Sequence, residues 1–124
     1  MDEIYDVTII GGGLSGLYSA FYAGLRNLKR KIIEYKSTLG GKLHVYPEKI
    51  IWDIGGLPAT PAQKVIENLV EQGLTFNPTV CLNTKVDLVT KKDNLFVIAT
   101  STGEKHFSKK VVVAVGGGII SPIK

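Results

Sequence analysis

The sequence predicts an α/β fold in which a parallel sheet is wound by a strand-helix-strand unit, with a small antiparallel β-meander added. Three observations carry this expectation. A β-rich run, Tyr5-Asp6-Val7-Thr8-Ile9-Ile10, stops abruptly at Gly11-Gly12-Gly13. A stretch with helical spacing and a second β-rich run, Lys31-Ile32-Ile33-Glu34-Tyr35, follow it. Much later comes Val111-Val112-Val113-Ala114-Val115, an unbroken apolar run of the kind that fills the middle of a parallel sheet covered on both faces.

Taken in order, Tyr5 to Ile10 is short, rich in β-branched residues and closed by glycine, as a buried strand entering a tight turn would be. Leu14, Leu17, Tyr18, Phe21, Leu25 and Leu28 then recur at spacings of three and four, an apolar helical face about four turns long. With the second strand this makes a unit of about 30 residues, whose crossover should be right-handed and whose strands should be parallel. From Lys36 to Pro58 the period is lost and Gly40, Gly41, Pro47, Gly55, Gly56 and Pro58 accumulate. So long a connection is more often functional than idle. Thr60-Pro61-Ala62-Gln63 reads as a helix start, with Thr60 as N-cap, Pro61 at the first helical position and Gln63 completing a capping box. Val65, Ile66, Leu69 and Val70 form the apolar side of that helix, and Gly73 closes it. Val80 to Leu82, Thr84 to Val89, Leu95 to Thr100 and Lys105 to Phe107 then read as short strands, divided by Lys91-Lys92-Asp93-Asn94 and Ser101-Thr102-Gly103-Glu104. These dividers have turn chemistry, so a meander is expected over about residues 84–108.

A chain of 124 residues has room for one compact domain. With 44% hydrophobic and 21% charged residues it has the composition of an ordinary globular protein, and no apolar run approaches the roughly 20 residues of a membrane helix. The acidic start Met1-Asp2-Glu3 lacks the features of a secretory signal, so a cytoplasmic location is expected. The formal charge of +4 is modest and the lysines are scattered, which argues against a nucleic-acid surface. Cys81 is the only cysteine, so neither an internal disulfide nor a dithiol pair can form, and any redox chemistry must belong to a bound cofactor. Cys81 is expected as a packed structural thiol. His44 has no second ligand of metal-binding type nearby, and His106, in the meander, is expected to be structural, so no metal site is expected.

Gly11-x-Gly13-x-x-Gly16 lies between strand and helix, where the dinucleotide fingerprint of a Rossmann-like fold requires it. Gly11 allows the tight turn, Gly13 lets backbone approach a pyrophosphate, and Gly16 lets helix and strand pack closely. The helix start then offers unpaired N–H groups and a positive dipole end to phosphate oxygens. Glu34, 18 residues after Gly16, can accept hydrogen bonds from the ribose hydroxyls of an adenosine and would repel a 2′-phosphate. FAD or NAD is therefore expected there and NADP is not. The residues alone leave open which of the two.

Three stretches, Tyr5 to Gly16 (YDVTIIGGGLSG), Gly40 to Leu43 (GGKL) and Tyr46 to Pro58 (YPEKIIWDIGGLP), resemble the FAD domain of the ferredoxin (flavodoxin)–NADP reductases built on the thioredoxin-reductase plan. The first two also suit thioredoxin reductases, whereas the third is characteristic of the ferredoxin-reductase branch. The resemblance runs over essentially the whole chain. It implies a Rossmann-like three-layer FAD-binding domain, of which residues 1–124 are the amino-terminal part, with the return strand and helix and an NADPH domain lying outside the chain. It implies an oxidoreductase passing electrons from NADPH through FAD to ferredoxin or flavodoxin, a homodimer at full length, and, for this chain alone, no turnover and weak or no binding of FAD. By position, Gly11, Gly12, Gly13, Ser15 and Gly16 would line the pyrophosphate, and Glu34 would take the ribose. Lys42 and Leu43 would lie beside the flavin half, Tyr46 would stack on the isoalloxazine, Val86 would offer its backbone to the adenine, and Ile120 would sit near the flavin or its chain. Asp53 also matches the pattern. No side chain need act as acid, base or nucleophile. The chain departs from the family in being one residue shorter between Gly40-Gly41 and Tyr46, and in carrying Lys42 where glutamine is usual. A lysine ammonium there would favour the anionic reduced flavin and raise its potential. Rival readings are a thioredoxin reductase with its dithiol elsewhere, a non-catalytic nucleotide-binding module, and an NAD-binding domain.

Overall fold

The structure, a computed structural model, describes residues 3–40, 50–51 and 60–114. In chain order the elements are β1 (Ile4–Ile10), α1 (Leu14–Leu25), β2 (Arg30–Ile33), β3 (Ile50–Ile51), β4 (Thr60–Pro61), α2 (Ala62–Gly73), β5 (Thr79–Cys81), β6 (Val86–Lys92), β7 (Leu95–Thr100) and β8 (Lys105–Val113). Six strands form one mixed sheet in the order β5-β2-β1-β8-β7-β6, and β3 pairs with β4 apart from it. β1 lies between β2 and β8, parallel to both, and β5 continues the parallel part beyond β2. β6, β7 and the start of β8 are antiparallel.

Alternation along β1 and β2 divides the core. Val7, Ile9 and Ile32 pack with Leu17 and Ala20 of α1, and Leu69 and Val70 of α2 close over them. The neighbouring residues Ile10 and Ile33 project to the opposite face, where Val86 and Ile98 from the meander meet them with Cys81, Val89 and Val111 around. Side chains that alternate along a strand thus bury one set under helices and the other under the meander. The result is the expected three layers. Burying a residue such as Ile9, Ile32 or Ile98, each essentially inaccessible to solvent, contributes about 1.5–3 kcal/mol.

The short strand expected at residues 80–82, ahead of the meander, is found at residues 79–81 as the outer parallel strand, with Val80 opposite Ile32. The last meander strand and the apolar run after it, expected as two elements, are one strand. Lys105 to Ser108 pair antiparallel with β7, while Phe107 to Val113 run parallel to β1. The polar Ser108-Lys109-Lys110 does not interrupt it because the ladder is made by backbone groups. The buried Ser108 hydroxyl donates at 2.7 Å to the Lys110 carbonyl, and Lys109 reaches out to Asp6 at 3.4 Å.

Two helix ends also differ from expectation. α1 stops at Leu25, and Leu28 N–H bonds the Ala23 carbonyl while Asn27 N–H bonds Gly24, with Asn27 left-handed at φ 56. This is a Schellman closure, in which the residue just past the turn packs back on the helix. Leu28 therefore follows the apolar period, and packs on the core, without being helical. At α2, Thr60 is not the cap: Thr60 and Pro61 are held in the pairing with Ile51 and Ile50, no side chain caps the helix, and Gln63 bonds Glu67 instead of closing a capping box. The cap position is Pro61, and Gly73 lies inside the last turn against Leu17. Among the described residues no helix is long and apolar enough to cross a membrane.

Candidate functional site

Because β1 and β2 are parallel with Ile10 opposite Ile33, the residues that follow each strand emerge side by side at the same edge of the sheet. Those residues are Gly11 and Glu34. Gly11 N–H extends the ladder to the Ile33 carbonyl at 2.8 Å, and its φ of 111° is open to glycine and strained for any other residue. The chain then turns so that Gly12 N–H donates to Glu34 Oε1 at 2.7 Å. Glu34 Oε2 accepts from Lys36 N–H at 2.8 Å. The carboxylate, in a side chain only 4% exposed, is held at the mouth of the turn by two charge-assisted bonds from backbone. An ionised carboxylate has about four acceptor positions, so each oxygen keeps one for a further donor such as a hydroxyl.

α1 begins at this mouth. A Cβ on Gly16 would overlap the Gly11 carbonyl oxygen, and one on Gly12 would meet Leu39 Cδ2 and stand 3.2 Å from Glu34 Oε1. Helix, turn and carboxylate therefore close on one another only with hydrogen at both positions. Gly13 is the N-cap, extended at φ −85° and ψ −158°, with no side-chain cap and no acidic residue in the first turn. Among the described residues nothing accepts a hydrogen bond from the N–H groups of Gly13, Ser15 or Gly16. Unpaired donors at the positive end of a helix are what an anion needs. The residues present thus fit the ADP half of a dinucleotide: free amides for phosphate, a fixed carboxylate for ribose, and no Cβ in between.

Of the residues singled out from sequence, Gly11, Gly12, Gly13, Ser15, Gly16 and Glu34 come together in this mouth. The amides of Gly11 and Gly12 are already engaged by Ile33 and Glu34, so among the described residues the amides without an acceptor begin at Gly13. Val86 is buried at the start of β6, opposite Thr100. The chain leading to it runs against the end of β2, with Thr84 N–H to the Glu34 carbonyl and Asn83 N–H to the Lys36 carbonyl, both at 2.9 Å. Lys42, Leu43, Tyr46, Asp53 and Ile120 lie outside the described residues, as does His44. Residues 36–39 were not singled out, and Gly40 was assigned no contact, yet Gly40 N–H bonds the Gly12 carbonyl at 2.8 Å and Leu39 covers Gly12. Their one trace in the sequence is the glycine pair at 40 and 41.

Elsewhere the ionisable groups hold structure. Cys81 packs against the meander-side core and burial pushes its thiol pKa up, as befits an inert thiol. His106 is buried, with Nδ1 2.7 Å from Lys31 Nζ and Nε2 2.9 Å from Glu104 Oε1, the latter out of line for a hydrogen bond. Burial first, and the Lys31 ammonium second, press its pKa below the ordinary histidine value, so neutral Nδ1 accepts from Lys31. Lys31 Nζ also stands 4.3 Å from the centre of the Tyr5 ring. No group of three or more side chains of metal-binding type occurs among the described residues.

No family model matches the chain. Over 124 residues and 99% of its length it is 61% identical to ferredoxin–NADP reductase 1 of Bacillus thuringiensis (strain Al Hakam), covering 36% of that protein. It is 58% identical over its whole length to ferredoxin–NADP reductase 3 of Lysinibacillus sphaericus (strain C3-41), again covering 36%. The chain thus spans 36% of the length of these curated relatives. In fold it matches thioredoxin reductase from Streptococcus pyogenes with a TM-score of 0.80 at 24% identity, over 94% of this chain and 36% of that one. It also matches the L-proline dehydrogenase of P. horikoshii with a TM-score of 0.77 at 30% identity, over 93% and 23%. The chain is therefore similar along its whole length to ferredoxin–NADP reductases, in a Rossmann-type fold shared with thioredoxin reductases.

Proposed function

We propose that the chain is the amino-terminal, FAD-binding part of a ferredoxin–NADP reductase, in which electrons pass from NADPH, bound by a second domain, to ferredoxin or flavodoxin. The observation that carries this reading is the Glu34 carboxylate fixed on Gly12 beside an uncapped helix start. In it, Gly13, Ser15 and Gly16 offer backbone donors to the pyrophosphate, Gly11 and Gly12 hold the turn open, Glu34 accepts from the adenosine ribose, and Val86 borders the adenine. Lys42, Leu43, Tyr46 and Ile120 are assigned to the flavin half. What FAD supplies when bound is the exchange between a hydride donor and a one-electron carrier, which no side chain here can perform. The chain's own task is to bind and orient. The whole enzyme is proposed as a homodimer working in the cytoplasm. The identity of 61% to a ferredoxin–NADP reductase, against 24% to a thioredoxin reductase of the same fold, supports the former over its nearest rival.

Titration with FAD, followed by flavin absorbance and fluorescence, on this chain and on the same chain joined to the remainder of its protein, tests the reading. Saturable binding of FAD by the longer protein that NAD does not displace, with weak or no binding by this chain alone, supports it. Preference for NAD, or indifference of FAD binding to Glu34→Ala, would overturn it.

A further inference from the structure

Glu34 and residues 36–40 enclose Gly12 from three directions. Its N–H donates to Glu34 Oε1 at 2.7 Å, its carbonyl accepts from Gly40 N–H at 2.8 Å, and Leu39 Cδ2 fills the space where a Cβ would be. The segment is itself tied down. Lys36 N–H donates to Glu34 Oε2 at 2.8 Å, the Lys36 carbonyl accepts from Asn83 N–H at 2.9 Å, and Leu39 packs against the core around Val7, Ile9 and Leu17. Gly40 has φ 120°, so the bend that returns its amide to Gly12 depends on glycine.

These contacts have a directional consequence. In a trans peptide the carbonyl of one residue and the N–H of the next point to opposite sides. Holding the Gly12 carbonyl toward Gly40 therefore turns the Gly13 N–H away from residues 36–40, and among the described residues nothing accepts from it. We propose that residues 36–40 are a strap that aims the Gly12–Gly13 peptide at a diphosphate, with Leu39 as the positioning residue. The proposal rests on the reading of this turn as an ADP site, and it divides the labour within it. Glu34 serves the ribose, and the strapped peptide serves the phosphates. Loosening the strap should cost phosphate recognition more than ribose recognition.

The experiment compares ADP with adenosine. The protein, freed of bound nucleotide, and its Leu39→Ala variant are titrated with each by calorimetry. Leu39→Ala is expected to weaken ADP about tenfold, the order of one hydrogen bond to a charged group, while adenosine changes less than about threefold. Leu39→Met, which keeps the volume, should restore the ADP affinity. Should Leu39→Ala lose its cooperative melt, Leu39→Val carries the same comparison with a smaller truncation. Equal weakening of ADP and adenosine, or unchanged ADP affinity in a folded variant, overturns the strap and leaves the ADP site standing. Failure of the unaltered protein to bind either ligand overturns the ADP site, and the strap's role with it.

Discussion

Glu34→Gln is the sharpest perturbation of the site, because the carboxylate stands between two backbone donors and has no donor of its own. Gly12 N–H and Lys36 N–H approach its two oxygens at 2.7 and 2.8 Å. Glutamine offers one oxygen and one NH2 group, so whichever way it is turned an amide N–H faces another donor. The loss comprises one charge-assisted hydrogen bond, about 1.5–3 kcal/mol, and a buried donor left without an acceptor, about 1–3 kcal/mol. Against it stands the relief of no longer burying a charge in a side chain 4% exposed, which offsets part of the sum. A net destabilisation of about 2 kcal/mol is expected, and for a domain of this size that lowers Tm by roughly 8 °C. Thermal melting followed by circular dichroism, without nucleotide, measures it. A parallel titration should show adenosine affinity falling with stability, since the same oxygens are proposed to accept from the ribose. A Tm within about 2 °C of the parent would refute the reasoning, because it would mean that the carboxylate does not hold the turn.

Other perturbations follow from equally local contacts. Gly16→Ala puts a methyl onto the Gly11 carbonyl oxygen, which is backbone and cannot swing aside; a loss of at least about 3 kcal/mol is expected. Gly103→Ala is its control, since nothing lies within 4 Å and only a φ of 88° resists the substitution, so urea unfolding should report about 1 kcal/mol. Thr8 Oγ1 is fully buried and has no partner among the described residues, so Thr8→Val should raise stability by about 1 kcal/mol. A lower midpoint would show that the hydroxyl has a partner after all. His106 has its pKa depressed in the fold by burial and by Lys31. The unfolded chain therefore binds a proton first as pH falls, and stability that is complete above about pH 6.5 is lost on the way down to the folded-state value. Urea midpoints between pH 8 and 5 should trace that decline, and His106→Gln should flatten it.

What could be read from the sequence was what has a local cause. Three glycines after a strand, and an acid at the end of the next, are each required by sterics or by the reach of one side chain, and they meet as expected although Gly12 and Glu34 are 22 residues apart. Asp93-Asn94, left-handed at φ 52° and 67°, forms the tight hairpin turn that its residue types favour. Where the outcome depends on a distant partner, local pattern was insufficient. The segment 79–81 is as β-like as a meander strand, and only its pairing with β2 makes it parallel. Thr60 carries a good cap side chain, but its backbone is taken by the pairing with Ile51. Lys31 is buried in β2 where His106, 75 residues away, accepts from it, a partner that no residue near Lys31 in the sequence announces.

The strap shows the limit most clearly. Its contacts with Gly12 are made by a backbone amide and by a leucine, groups that nearly any loop contains, so neither composition nor periodicity could have marked them. Only Gly40 leaves a trace, since the φ of 120° that turns its amide back excludes other residues. The peptide proposed to bind phosphate was thus legible as a motif, while the device that would aim it was legible only as one more glycine in a long loop. Because Leu39 also packs on the core beneath α1, the aim of that peptide depends on how the helix layer closes. Substitutions under α1 such as Ile32→Val, although remote from any nucleotide, should therefore weaken ADP more than adenosine, in the same sense as Leu39→Ala and more weakly. If ADP and adenosine responded alike to that change, the peptide would owe its direction to the glycine turn alone.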